Sequence, residues 1–128
     1  MSLSNENMIG LLIYSFPTLE DKVNEAINWS GGKSNHIIFS QVFNPYIKQI
    51  LIEEVYNRAE KEKVVQFLEN MAISNDCCVR EVLTDSILEE LLDCPDEFDK
   101  IEAHLLEKTK SYLPPIKKFF EYDERKNL

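Results

Sequence analysis

An all-α fold is predicted, as an irregular HEAT-like array of antiparallel helical hairpins forming one domain, and three observations predict it. Residues 64–92 carry two helical apolar stripes separated by a short polar turn. Helix breakers are scarce, with 3 Gly and 5 Pro in 128 residues. Charged residues make up 29% and hydrophobic residues 44%, so amphipathic helices can bury a core without metal or disulfide staples.

The first apolar segment runs from Met8 to Phe16, with Met8, Leu11, Leu12 and Tyr14 or Ser15 able to share a face, and Pro17 ends it. Thr18 followed by Asp21 resembles a capping box with the shorter acid. The helix it opens places Leu19, Val23, Ala26 and Ile27 at core spacing, with Trp29 near its end. Ser30 to Ser34, containing Gly31 and Gly32, reads as a loop. Ile37 to Phe43 is rich in β-branched and aromatic residues, so a short strand rivals a helix there. Asn44-Pro45 has the form of an N-cap with proline at the first helical position, which splits the region into a short helix and a second one from Pro45 toward Val55.

The periodicity is clearest in the middle. Val64, Phe67, Leu68, Met71 and Ala72 form one stripe; Val79, Val82, Leu83, Ile87 and Leu91, broadened by Leu88 and Leu92, form the next. Ser74-Asn75-Asp76 between them supplies a polar turn with several N-cap candidates, so the two helices should form an antiparallel hairpin. Cys94-Pro95-Asp96 starts another helix carrying Phe98, Ile101, Leu105 and Leu106. A last helix from about Thr109 carries Tyr112, Ile116, Phe119 and Phe120, with Pro114-Pro115 in its first turns or kinking it. Residues 1–4 and 123–128 are expected to fray. No repeat of clean period accompanies the HEAT-like pattern.

The formal net charge of −9 argues against nucleic acid and anionic membranes as partners, because both require a basic surface. The apolar run Met8 to Tyr14 is too short to span a bilayer. Cys77, Cys78 and Cys94 are odd in number and show no framework spacing, which indicates free thiols in a reducing, cytoplasmic setting. Neither a C-x2-C nor an H-x3-H pair is present, and neither His36 nor His104 follows a Glu by three residues, so no metal or other cofactor is expected. The cysteines read as small core hydrophobes. Gly31-Gly32-Lys33-Ser34 ends as a phosphate loop does, but Ile27 stands where that pattern needs its first glycine. Neither histidine lies in a nucleophile–base motif, so no catalytic residue is assigned.

Charge is distributed unevenly. From Glu69 to Glu107 there are 12 acidic residues against Arg80 and Lys100, whereas residues 108–128 carry a net +3. Within that stretch Glu90, Asp93, Asp96, Asp99 and Glu102 recur every three residues, but Pro95 prevents a single stripe. A solvated outer face is the plain reading. The sharper reading is a docking surface for a basic protein, with steering raising the association rate.

At the central hairpin the pattern resembles a family of small bacterial helical proteins of unknown function. The resemblance rests on Phe67-Leu68-Glu69-Asn70-Met71-Ala72, on Asp76 to Leu83, and on Ile87-Leu88-Glu89-Glu90-Leu91-Leu92. Phe16-Pro17, the run Phe39 to Tyr46 and the closing pair Phe119-Phe120 extend it over nearly the whole chain, from about residue 10 to residue 121. These are packing motifs, and Pro114-Pro115 departs from the pattern in the last helix. The family is similar to immunity-type proteins that travel with bacterial toxins. The resemblance therefore implies a helical inhibitor and carries no catalytic residue across.

These readings converge on a non-enzymatic protein-binding module, an immunity-like inhibitor of a basic toxin such as a nuclease. Its expected contact residues are Asp85, Glu89, Glu90, Asp93, Asp96 and Asp99. The alternative is a small hydrolase or metal-dependent enzyme using the acidic cluster around residues 85–102. Carboxylates converging in a concave pocket would favour the enzyme, and carboxylates spread over a convex face the binding module. Partner identity and oligomeric state are not encoded in any motif.

Overall fold

The structure, a computed structural model, describes residues 2–53 and 58–120, and every regular element among them is helical. In chain order these are α1 (Met8–Ser15), α2 (Glu20–Ser30), α3 (35–52), α4 (Arg58–Ala72), α5 (77–91), α6 (Pro95–Glu102), α7 (Glu107–Ser111) and α8 (Leu113–Phe119). Helix α3 is central, packing on α1, α2, α4, α5 and α6. Residues 123–128 and the segment approaching Val55 lie outside the described residues.

Both predicted stripes are buried. Val64, Phe67, Leu68, Met71 and Ala72 line the inner face of α4; Val79, Val82, Leu83, Ile87, Leu88 and Leu91 line that of α5. An aromatic cluster joins three separate helical segments. The Phe67 ring centroid lies 5.4 Å from Phe43, 5.8 Å from Phe16 and 6.2 Å from Phe39. Phe16 also meets Phe43 at 5.6 Å and Tyr46 at 5.5 Å. Offset and edge-on rings at these separations attract beyond their burial of apolar area.

Several expectations are corrected. Ile37–Phe43 is neither a strand nor a separate short helix. Helix α3 runs through Asn44, whose dihedrals are helical (φ −58°, ψ −47°), so Asn44 is not an N-cap. The turn before it is widened: the Asn44 N–H donates to the Phe39 carbonyl, five residues back. Pro45 explains this, because it has no N–H and its ring would clash with the Gln41 carbonyl in a regular helix. Helix α5 widens in the same way, with the Glu89 N–H donating to the Thr84 carbonyl. There Thr84 Oγ1 bonds back to the Arg80 and Glu81 carbonyls at 3.2 and 3.3 Å and competes with the regular ladder.

Helix α2 is entered through a 3-10 turn at Pro17–Leu19 rather than a Thr18–Asp21 capping box. Tyr14 is 82% exposed and off the core face. The segment before α1 makes contacts with the fold: Leu3 is buried, Ser74 Oγ donates to its carbonyl at 2.8 Å, and the Ser4 N–H donates to Asn7 Oδ1. The last helical segment breaks at Tyr112, with the prolines taking the start of α8. Cys77, Cys78 and Cys94 are all exposed and do not fill the core. The loop and polar-turn expectations hold. Gly31 closes α2 at φ 79°, Ser34 caps α3 and Asp76 caps α5.

Glu69 ties α4 to the distant α7. Its carboxylate accepts from the Lys108 N–H at 3.0 Å, the Thr109 N–H at 2.9 Å and Thr109 Oγ1 at 2.8 Å. Desolvation pushes its pKa up, but these donors outweigh it and hold the group below the ordinary glutamate range.

Two stability predictions follow from these contacts. Leu83→Ala should cost about 2–5 kcal/mol in a denaturant melt, since it removes buried methylenes and leaves a cavity; an unchanged midpoint would place the stripe on the wrong face. The Glu69 contribution should be fully present above the ordinary glutamate pKa and be lost as pH falls through the lowered folded value. Glu69→Ala should therefore lower stability at neutral pH and flatten the acid limb of stability against pH, as measured by melts in a series of buffers.

Candidate functional site

Helix α5 carries two polar faces with different work. The outer face holds Asp85 and Glu89, with Asp93 four residues further on in the turn after α5; Asp85 and Asp93 are exposed and Glu89 is half-buried. Burial, then Asp85, then Asp93 push the Glu89 carboxyl above its ordinary range. Like charges at this spacing repel by a few tenths of a kcal/mol per pair, roughly. Asp96 and Asp99 are exposed on α6. The expected contact residues therefore spread over two successive helices. The cavities beside Trp29 (440 Å³) and Tyr14 (530 Å³) are lined by other side chains.

Glu90 is exposed as well, and its carboxylate has a second role. It closes a polar seam between α3 and α5, accepting from Ser40 Oγ at 2.6 and 2.7 Å and from Asn44 Nδ2 at 2.7 Å. Asn44, 5% exposed, also donates to the Ser86 carbonyl at 2.8 Å. These two acceptors fix the amide orientation, because a flip would set oxygen against oxygen. Asn44 Oδ1 is left buried without a protein partner. One turn away Ser86 Oγ and His36 Nδ1 share a hydrogen bond of 2.5 Å. Both widened turns border this seam, and such turns are frequent at functional sites.

The sequence reading missed the seam. Its signal was present in the polar spacing of His36, Ser40 and Asn44 facing Ser86 and Glu90, but each was taken alone or as a cap. The metal assessment also missed a grouping. Asp76, Cys77 and Cys78 place one ligand atom each within 4.8 Å of the others, although no C-x2-C spacing exists. Desolvation first, and then the neighbouring Cys77 and Asp76, raise the Cys78 thiol pKa. No helix among the described residues is long and apolar enough to cross a membrane.

Residues 9–121 match the family described as "Domain of unknown function (DUF7674)", and the chain belongs to that family. The match agrees with the resemblance to an uncharacterised family over the same stretch. No curated protein and no solved structure matches the chain.

The two faces of α5 should separate by mutation. Glu90→Ala should destabilise by about 1 kcal/mol, because the buried Asn44 amide loses one of its two acceptors. Glu89→Gln should be neutral or slightly stabilising at neutral pH. Its raised folded pKa makes the ionised form a cost that grows as pH rises from the unfolded toward the folded value. Thermal melts of both variants side by side check this, and equal losses would refute the division of roles.

Proposed function

We propose that the chain is a non-enzymatic protein-binding module whose acidic helical face takes a basic partner, as an immunity-like inhibitor of a basic toxin would. The observation that carries the reading is the Asp85–Glu89–Asp93 stripe, continued by Asp96 and Asp99 on α6. Repulsion along the stripe costs the isolated chain stability, and a cationic partner surface relieves that cost. A stack of HEAT-like hairpins would suit such a scaffold, since it presents successive helices side by side. Glu90 is exposed beside this stripe and stays in the contact set, but its carboxylate also accepts from Ser40 and Asn44, so it is left out of the charge-reversal variant below.

A hydrolase reading draws support from a different observation, the His36–Ser86 hydrogen bond. It is the weaker reading: Ser86 is buried between helices, so a substrate would have to part them to reach its hydroxyl.

The test is affinity capture of basic proteins from the source organism, followed by association kinetics at two salt concentrations. Charge reversal of Asp85, Glu89, Asp93 and Asp96 to Lys should slow association at least tenfold at low salt and leave helix content unchanged. The difference should shrink at high salt, because exposed charges are screened beyond ~8 Å at physiological ionic strength. Equal rates for both forms would remove the acidic face as the binding surface.

A further inference from the structure

We propose that Asp76, Cys77 and Cys78 form a binding site for a thiophilic divalent cation of the zinc class. The three ligand atoms lie within 4.8 Å of one another. Two thiolates on one tetrahedral zinc sit about 3.8 Å apart, given Zn–S bonds of about 2.3 Å, so modest side-chain rotation closes the set. Both cysteines are exposed, which gives an ion access.

Asp76 is held in place before any ion arrives. Its Oδ2 accepts from the Asn5 N–H at 2.7 Å and its Oδ1 from the Cys78 N–H at 2.9 Å, and each oxygen keeps lone-pair capacity for a metal. The turn behind it is tied down as well. Ser74 Oγ donates to the Leu3 carbonyl, and Arg80 donates to the Ser74 carbonyl at 2.6 Å. The two thiols sit in the first turn of α5, and an incoming divalent cation displaces their protons.

Binding replaces one proton on each thiol with the ion and changes no oxidation state. Two thiolates and one carboxylate against a divalent cation leave the site at a net −1. Three protein ligands leave a fourth position for water or a ligand from another molecule. Adjacent cysteines lie outside the familiar C-x2-C grip, which is why spacing alone does not flag them. The site lies roughly 10 Å along the helix axis from Asp85, counting seven residues at 1.5 Å rise, so it is separate from the acidic face and its test is independent.

The experiment titrates the reduced full-length protein with cobalt(II) as the probe. A single saturable ion per chain should appear, with a sulfur-to-cobalt charge-transfer absorption that zinc abolishes by displacement. Cys77→Ser and Cys78→Ser should each weaken binding at least tenfold, and Cys94→Ser should leave it unchanged. Asp76→Asn, which keeps an acceptor for the helix cap, should weaken binding several-fold with helix content preserved. Absence of the charge-transfer band in excess cobalt would overturn the site. So would a band that survives in the Cys77→Ser/Cys78→Ser double variant.

Discussion

The aromatic cluster of Phe16, Phe39, Phe43 and Phe67 is the constraint on which the helices are arranged. These rings come from the end of α1, two turns of α3 and the middle of α4, segments far apart in sequence. Pro17 stops α1 immediately after Phe16 and leaves that ring at the centre. Phe39 and Phe43 must both face inward from α3, yet Pro45 forbids a regular ladder just beyond them. The widened turn satisfies both demands: it moves the Gln41 carbonyl away from the proline ring while Phe39, Val42 and Phe43 all stay buried.

A widened turn also has a long reach. One extra residue in a turn rotates everything downstream by about 100° relative to an uninterrupted helix. In α5 this sets which residues after Leu88 face the core and which face water. Leu91 stays buried, Glu89 is half-buried, and Glu90 and Asp93 are exposed, with the Glu90 carboxylate reaching Ser40 and Asn44. The seam thus registers α5 against α3, and the orientation of the acidic stripe depends on hydrogen bonds made on the opposite side of the same helix.

Much of this was legible from period and punctuation. The stripes on α4 and α5 needed only helical spacing, and Gly31, Ser34 and Asp76 close or cap the helices expected of them. The failures have a shared cause. Asn44-Pro45 is locally a good helix start, and Ile37 to Phe43 is locally a good strand, but packing of two phenylalanines into a central cluster overrides both preferences. Cys77 and Cys78 read as core residues by type, whereas their place at the first turn of α5, beside a surface turn, leaves them exposed. The Glu69–Thr109 cap and the His36–Ser86 contact join residues 40 and 50 positions apart, which no local pattern announces.

Charge counting shows where composition stops being informative. Of the twelve acids between Glu69 and Glu107, Glu69 and Asp76 cap helices, Glu90 closes the seam, and Glu97 and Glu102 pair with Lys48 and Lys117. Those five already have partners within the chain. On the proposed reading, fold and function are therefore written largely in different residues of the same helix. The inward positions of α5 are fixed by their neighbours, whereas Asp85 and Asp93 are exposed and Glu89 is half-buried. In the proposed binding module, outward charges on α5 and α6 could change without disturbing the aromatic centre, and partner specificity would then be set at that surface rather than in the core.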